Sequence, residues 1–458
     1  MTEVAVTGFA PSRFEHRSPP PIRTWDRARY AGGSLVTGLF SSIPTVLLLY
    51  FCTDILNIPA GFAALIIIVP KLWTIIWDPL VGSWSDCSAS TLGRRRPFLA
   101  IGGLGVAIFT VVLFSPPSLS LGWLEWWMLG SNFLFVSAYS LFAVPYIALP
   151  AEVAADEPSR ARMVSWRMTM AMAGTLIGVG AVPWLVELFG GGRLGYGRVS
   201  LILAVIFLAS AAGPFAMMRG RESPSTKIKN QSIGPIATLM DAAASRRFII
   251  LALSYLAATI GIGALTSTIP YLVTRVLGRE PGEIGTALLA IVAPLVIAVP
   301  LWSSLARRVG QRVTMMLSLL GLGVCCTLVA LLAWFAVAWP LLLGVLALAG
   351  VTFAGMQTMM FTAAADAIHQ AHVESGSGEA SFSGVWTACE KIGLASGPML
   401  TALCLTFAAS DVRLGLCLYL GLLPLGLLVA SAALYVRAAS MKRAPVQSPA
   451  RINPSEEG

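Results

Sequence analysis

Residues 62–98 read FAALIIIVPKLWTIIWDPLVGSWSDCSASTLGRRRPF, and this stretch decides the fold. From Phe62 to Ser85 the side chains are mostly apolar, over a length that suits a helix crossing a bilayer, which needs about 20 such residues. The run gives way to Gly93-Arg94-Arg95-Arg96, positive charge of the kind that holds a helix end in the cytoplasm. Runs of the same character lie at 31–53, 97–115, 122–149, 163–189 and 199–218, and again at 248–273, 283–306, 313–336, 339–368, 381–408 and 414–436. A polar stretch rich in charge, Ser and Pro separates the two sets of six. The reading is an all-α membrane protein with twelve transmembrane helices in two pseudo-symmetric six-helix bundles. Its parts are a cytoplasmic tail at 1–30, a bundle at 31–218, a cytoplasmic linker at 219–247, a second bundle at 248–436 and a cytoplasmic tail at 437–458.

Composition agrees: 56% of the residues are apolar and only 12% charged, more apolar surface than a water-soluble domain can hide. The net charge of +9 is not a nucleic-acid signature, because the basic residues sit between apolar runs instead of on one face. They orient the chain: with both termini inside, 24 of the 31 Lys and Arg fall in cytoplasmic segments and five in outer loops. The remaining two, Lys71 and Lys391, lie inside apolar runs. The first 30 residues lack the apolar core of a signal peptide. The seven cysteines form no CxxC pair and read as small buried hydrophobes, while Asp366, His369 and His372 fall at a helix end and read as a solvated loop. No cofactor or metal is expected, and no nucleophile motif or phosphate-binding loop suggests an enzyme.

A charge at the centre of a membrane helix costs at least about 2.5 kcal/mol, so each one calls for a role. In the second run Lys71, Thr74 and Asp78 are spaced i, i+3 and i+7 and share one face. In the eleventh, Glu390 and Lys391 are adjacent and diverge by about 100°, so one of them faces any given partner. An Asp that alternates between a cation and a lysine is a coupling switch; a fixed Asp–Lys pair is a lock between helices. Both readings stay open. Pro79-Leu80, Gly82, Trp84, Asp86 and Arg94–Arg96 are echoed by Pro300-Leu301, Trp302, Arg307-Arg308 and Arg312, a weak internal repeat of the kind that builds carriers around a midplane site.

Tyr50-Phe51-Cys52-Thr53-Asp54, Trp73, Asp78-Pro79-Leu80-Val81-Gly82, Gly93-Arg94-Arg95-Arg96-Pro97, Val144-Pro145-Tyr146-Ile147-Ala148-Leu149, Pro270-Tyr271 and Trp386 with Lys391 occur in an order that resembles the glycoside–pentoside–hexuronide:cation symporters, melibiose-carrier-like members of the major facilitator superfamily. The resemblance implies the major facilitator fold and a cation-coupling set of Asp78, Thr74, Ser140, Thr387 and Lys391. One of the two acids of the family's cation site is replaced by Thr74, which favours a proton over sodium, since a proton needs one carboxylate and sodium several oxygens.

Substrate-binding candidates are Lys71, Trp73, Trp77, Tyr139, Arg167, Tyr271 and Trp386, and Asp86 with Arg94, Arg95 and Arg96 form a cytoplasmic gate. The sugar-binding acids of the family's galactoside carriers correspond to Gly38 and Ala143, which argues against a galactoside. The implied function is cation-coupled symport of a small organic solute, a sugar or glycoside, by alternating access. Export or transport of an amphiphile on the same fold is the alternative, and a non-transporting sensor a remote one. The expected partners are a small-molecule substrate, a coupling H+ or Na+ and the lipid bilayer, with the chain a monomer in the bacterial inner membrane.

Overall fold

The structure, a computed structural model, describes residues 23–43, 47–88, 90, 92–153, 157–219, 246–375, 379–407 and 411–441. The side chains of Asp86, Asp366, His369, His372 and Thr387, and most of the 219–247 linker, lie outside the described residues. Among the described residues the secondary structure is helical throughout. The helices are α1 (Thr24–Gly32), α2 (Ser34–Ile43), α3 (Ala60–Cys87), α4 (Arg96–Phe114), α5 (Leu121–Val153), α6 (Glu157–Leu176), α7 (Val182–Leu188) and α8 (Gly192–Met217). The second half holds α9 (Arg246–Tyr271), α10 (Glu283–Val309), α11 (Gln311–Trp334), α12 (Trp339–Ser375), α13 (Glu379–Phe407) and α14 (Val412–Ser440). Ten helical stretches are long and apolar enough to cross a membrane. The two other columns expected from the sequence are the interrupted α1–α2 region and α13, which carries Glu379, Glu390 and Lys391.

Residues 24–30, assigned by composition to the tail, form most of α1. Asp26 in its first turn accepts the backbone N–H of Arg23 at 3.2 Å, the arrangement that opens a helix and complements its positive end. Tyr30 and Ala31 are fully buried, and α1 packs on α6 and α8.

The two halves repeat one packing plan. In the first, α2 pairs with α6, α3 and α4 with α5, and α4 with α8; in the second, α9 pairs with α13, α10 and α11 with α12, and α11 with α14. Small residues set both of the corresponding crossings. Gly38 and Ser42 of α2 meet Gly174 and Gly178, while Thr259 and Gly263 of α9 meet Gly393 and Gly397 of α13. A Cβ on Gly38, Gly178, Gly393 or Gly397 would overlap the facing helix, so backbones touch here as in other small-xxx-small membrane contacts. Gly38 therefore faces the Ala171 carbonyl of the α6 backbone, and packing accounts for the missing acid at that position.

Among the described residues three full π-helical turns stand out: Phe51–Ile55 after α2, Ile177–Ala181 between α6 and α7, and Leu272–Val276 after α9. Such turns concentrate at functional sites. The first and third lie at equivalent positions of the two halves.

Inside α3, Pro70 has no N–H to give to the Ile66 carbonyl one turn back. Asn132 of α5 supplies it, its Nδ2 donating to that carbonyl at 2.7 Å. Apolar surroundings offer no water as a substitute. Asn132→Leu is expected to lower stability by about 1–3 kcal/mol through the orphaned carbonyl, seen as a reduced Tm of the purified protein in detergent. An unchanged Tm would mean that the carbonyl finds another donor.

Candidate functional site

Asp78 lies past the middle of α3, and Lys391 of α13 reaches across from the other half to its Oδ2. The side chains are 24% and 41% exposed, so the pair is neither sealed nor lipid-bound without a partner. The second oxygen, Oδ1, is buried with no hydrogen-bond partner among the described residues. Thr74, one turn earlier, is buried and donates to the Lys71 carbonyl at 2.7 Å; Ser140 of α5 is buried as well. Lys71 shares with Lys391 a small cavity at the α3–α13 seam, lined also by Ile68, Leu72, Ile75, Ile392 and Ala395. Thr387, the remaining residue of the expected cation set, has no described side chain.

The aromatic candidates separate into different settings. Trp73 donates its indole N–H to the Ser137 hydroxyl at 3.1 Å and Trp77 donates to the Ser137 carbonyl at 3.0 Å. The two rings stack, with centroids 5.4 Å apart. Both N–H groups are thus spent on joining α3 to α5. Tyr139 stacks face to face on Phe40 at 3.5 Å. Arg167 acts electrostatically on Tyr139, Tyr30 and Tyr146, which places its guanidinium toward the interior of the first half. Trp386 is buried and stacks on Tyr255 of α9 at 4.2 Å.

Tyr271 is fully buried at one end of the molecule. Its hydroxyl lies 2.7 Å from that of Thr53, and its ring meets Tyr50 edge-on. Beside it Arg275 donates to Asp54 at 2.9 Å and lies over the Tyr271 ring at 5.3 Å. These contacts join the first π-helical turn to the third, one half to the other. At the same end the Gly180 backbone in the middle π-helical turn meets Gly285 of α10. Sequence reading placed Tyr271 beside a substrate and left Asp54 and Arg275 without a role.

At the opposite, arginine-rich end Gly93 takes φ +96°, a conformation open to glycine, and turns the chain into α4. Arg95 is buried and donates to the Pro145 carbonyl at 3.1 Å. Arg96 lies over the Phe215 ring at 4.4 Å, and Arg94 precedes both in the turn. The arginines tie α4 to α5 and α8 within the first half. Sequence reading missed Tyr255, Gln357 and Phe40, whose partners come from helices far away in the chain.

Two pseudo-equivalent bundles of apolar helices, touching at one end through π-helical turns and tied midway by a carboxylate and an ammonium, define a polytopic membrane transporter. The sequence pattern of the MFS/sugar transport protein family matches residues 29–417, and the chain belongs to that family. It is 28% identical over 204 residues to the inner membrane symporter YicJ of Escherichia coli (strain K12), covering 44% of each chain. It is 30% identical over 182 residues to the putative glycoside/cation symporter YagG of the same organism, covering 39% of this chain and 40% of that one. The matched stretches thus span less than half the length of either relative. In three dimensions it is similar to a bacterial homologue of the human lysosomal transporter Spinster, with TM-score 0.64 and 14% identity, covering 92% of this chain and 96% of the other.

Proposed function

We propose that this chain is a proton-coupled symporter of a neutral sugar or glycoside, working by alternating access with its arginine-rich end in the cytoplasm. The observation that carries the reading is the Asp78–Lys391 pair, an intramembrane ionic contact whose members belong to different halves. A proton on Asp78 removes its charge and weakens its hold on Lys391, so occupancy of one carboxylate changes how strongly the halves are bound together. Oδ1, without a hydrogen-bond partner among the described residues, leaves a place for that proton. Thr74 stands where the family has a second acid, leaving Asp78 as the one carboxylate of the set, which favours a proton over sodium. The contacts around Tyr271 and Asp54–Arg275 join the two halves at the end this reading places outside, where alternating access needs a breakable closure. The names of YicJ and YagG, a symporter and a glycoside/cation symporter, fit this reading.

The test is uptake into proteoliposomes across a panel of glycosides and free sugars. A pH gradient, alkaline inside, is expected to drive accumulation of at least one of them toward about tenfold per pH unit, the limit for one proton per solute. A sodium gradient at uniform pH is expected to drive none. Accumulation that requires sodium and ignores the pH gradient would move the coupling ion to the oxygens of Thr74 and Ser140.

A further inference from the structure

Glu390 is a second carboxylate within the membrane-spanning region, and the coupling pair does not use it. It precedes Lys391 on α13, so the two side chains leave the helix about 100° apart. Lys391 crosses to α3, whereas Glu390, one turn after the Trp386 that stacks on Tyr255, lies on the side of α13 that faces α9. The Tyr255 hydroxyl lies 3.4 Å from Oε1 of Gln357 on α12. Trp386, one turn before Glu390, stacks on the Tyr255 ring, and Phe361 meets the same ring edge-on. Three helices of the second half thus bring two hydrogen-bond acceptors together beside an aromatic wall. Glu390 and Gln357 are half-buried, while Tyr255 is fully covered.

We infer that Glu390 and Gln357, held in place by Tyr255, form a hydroxyl-binding subsite that recognises neighbouring hydroxyls of a neutral glycoside. The inference rests on the transport reading above and extends it to the groups that choose the substrate. A carboxylate accepts from two hydroxyls at once, and a carboxamide adds an acceptor and two donors, which together match a vicinal diol. An acceptor left unpaired by a missing hydroxyl discriminates far better than a change in apolar contact. Glu390 narrows the class: an anionic ligand meets like charge there, and a neutral polyol does not.

The experiment measures binding and transport of 4-nitrophenyl glycosides and their monodeoxy analogues by the full-length protein in proteoliposomes. Glu390→Gln is expected to weaken binding of the preferred glycoside about 10- to 100-fold, the loss of a charge-assisted hydrogen bond. It should bind the analogue lacking the contacted hydroxyl nearly as the unmodified protein does, so discrimination between the two collapses. Glu390→Asp should recover part of the discrimination, and Gln357→Leu should lose discrimination at a second hydroxyl, which separates recognition from a fold defect. Equal discrimination by Glu390→Gln and the unmodified protein would overturn the subsite. Intact binding with lost accumulation would also overturn it, by moving Glu390 into the coupling machinery. Tighter binding of a glycuronide than of its neutral counterpart would overturn the neutral-ligand class. Failure of the unmodified protein to bind any glycoside would instead overturn the transport reading from which the subsite follows.

Discussion

Asp78→Asn is expected to abolish gradient-driven accumulation, bringing the internal to external substrate ratio to one, while exchange of labelled for unlabelled substrate persists. Asparagine keeps the shape of the side chain but carries neither a titratable proton nor the charge that holds Lys391. Accumulation needs the free energy of the proton gradient to pass through a group that binds the proton; exchange needs only a site that faces each side in turn. The loss should therefore be complete in one assay and within severalfold of normal in the other. Proteoliposome uptake under an imposed pH gradient, run beside counterflow at uniform pH, separates them. Undiminished accumulation would show that Asp78 is not the coupling carboxylate.

Lys391→Ala carries the second large effect and distinguishes a switch from a lock. Removing the ammonium leaves Asp78 with neither oxygen paired, since Oδ1 already lacks a partner among the described residues. Breaking a sealed pair costs about 3–5 kcal/mol; with Lys391 41% exposed, screening reduces the expected loss to about 1–2 kcal/mol. Accumulation is expected to fall most of the way toward a ratio of one in this variant, as usable coupling is lost. The double variant with Asp78→Asn should regain stability, because no uncompensated charge remains, and still fail to accumulate. Were each single variant to accumulate normally while the double restored stability, the pair would be a lock between helices and nothing more. Thermal unfolding in detergent alongside uptake reads both quantities.

The apolar runs were legible because lipid forces each helix to satisfy its own backbone, so hydropathy alone marks ten of the crossings between α3 and α14, with the charged α13 the exception among them. The start of the first column was not, because α1 is polar and is held by the Arg23–Asp26 contact and by burial of Tyr30 instead of by apolar length. Asp78 and Lys391 stood out as charges inside apolar runs, and the structure brings them together. The aromatic candidates were harder. A tryptophan beside a cavity and one pinned to a neighbouring helix have the same sequence signature, so the engagement of Trp73 and Trp77 by Ser137 was invisible. Tyr271 lies near Asp54 only because two π-helical turns, distant in the chain, meet at one end. Glu390 was noticed, but its place on the Tyr255 side of α13, one turn after Trp386, depends on which way that helix is rotated, and adjacent charges do not reveal that.

The mirrored glycine crossings have a mechanical consequence. Where Gly38 meets α6 and Gly397 meets α9, main chains abut without intervening side chains, and no rotamer can yield to absorb a shift. Each half is thereby welded along its inner edge, the stiffness that two rocking levers in the proposed transport cycle require. In that cycle the work of reorienting would fall on a handful of breakable polar links across the seam and not on bending helices.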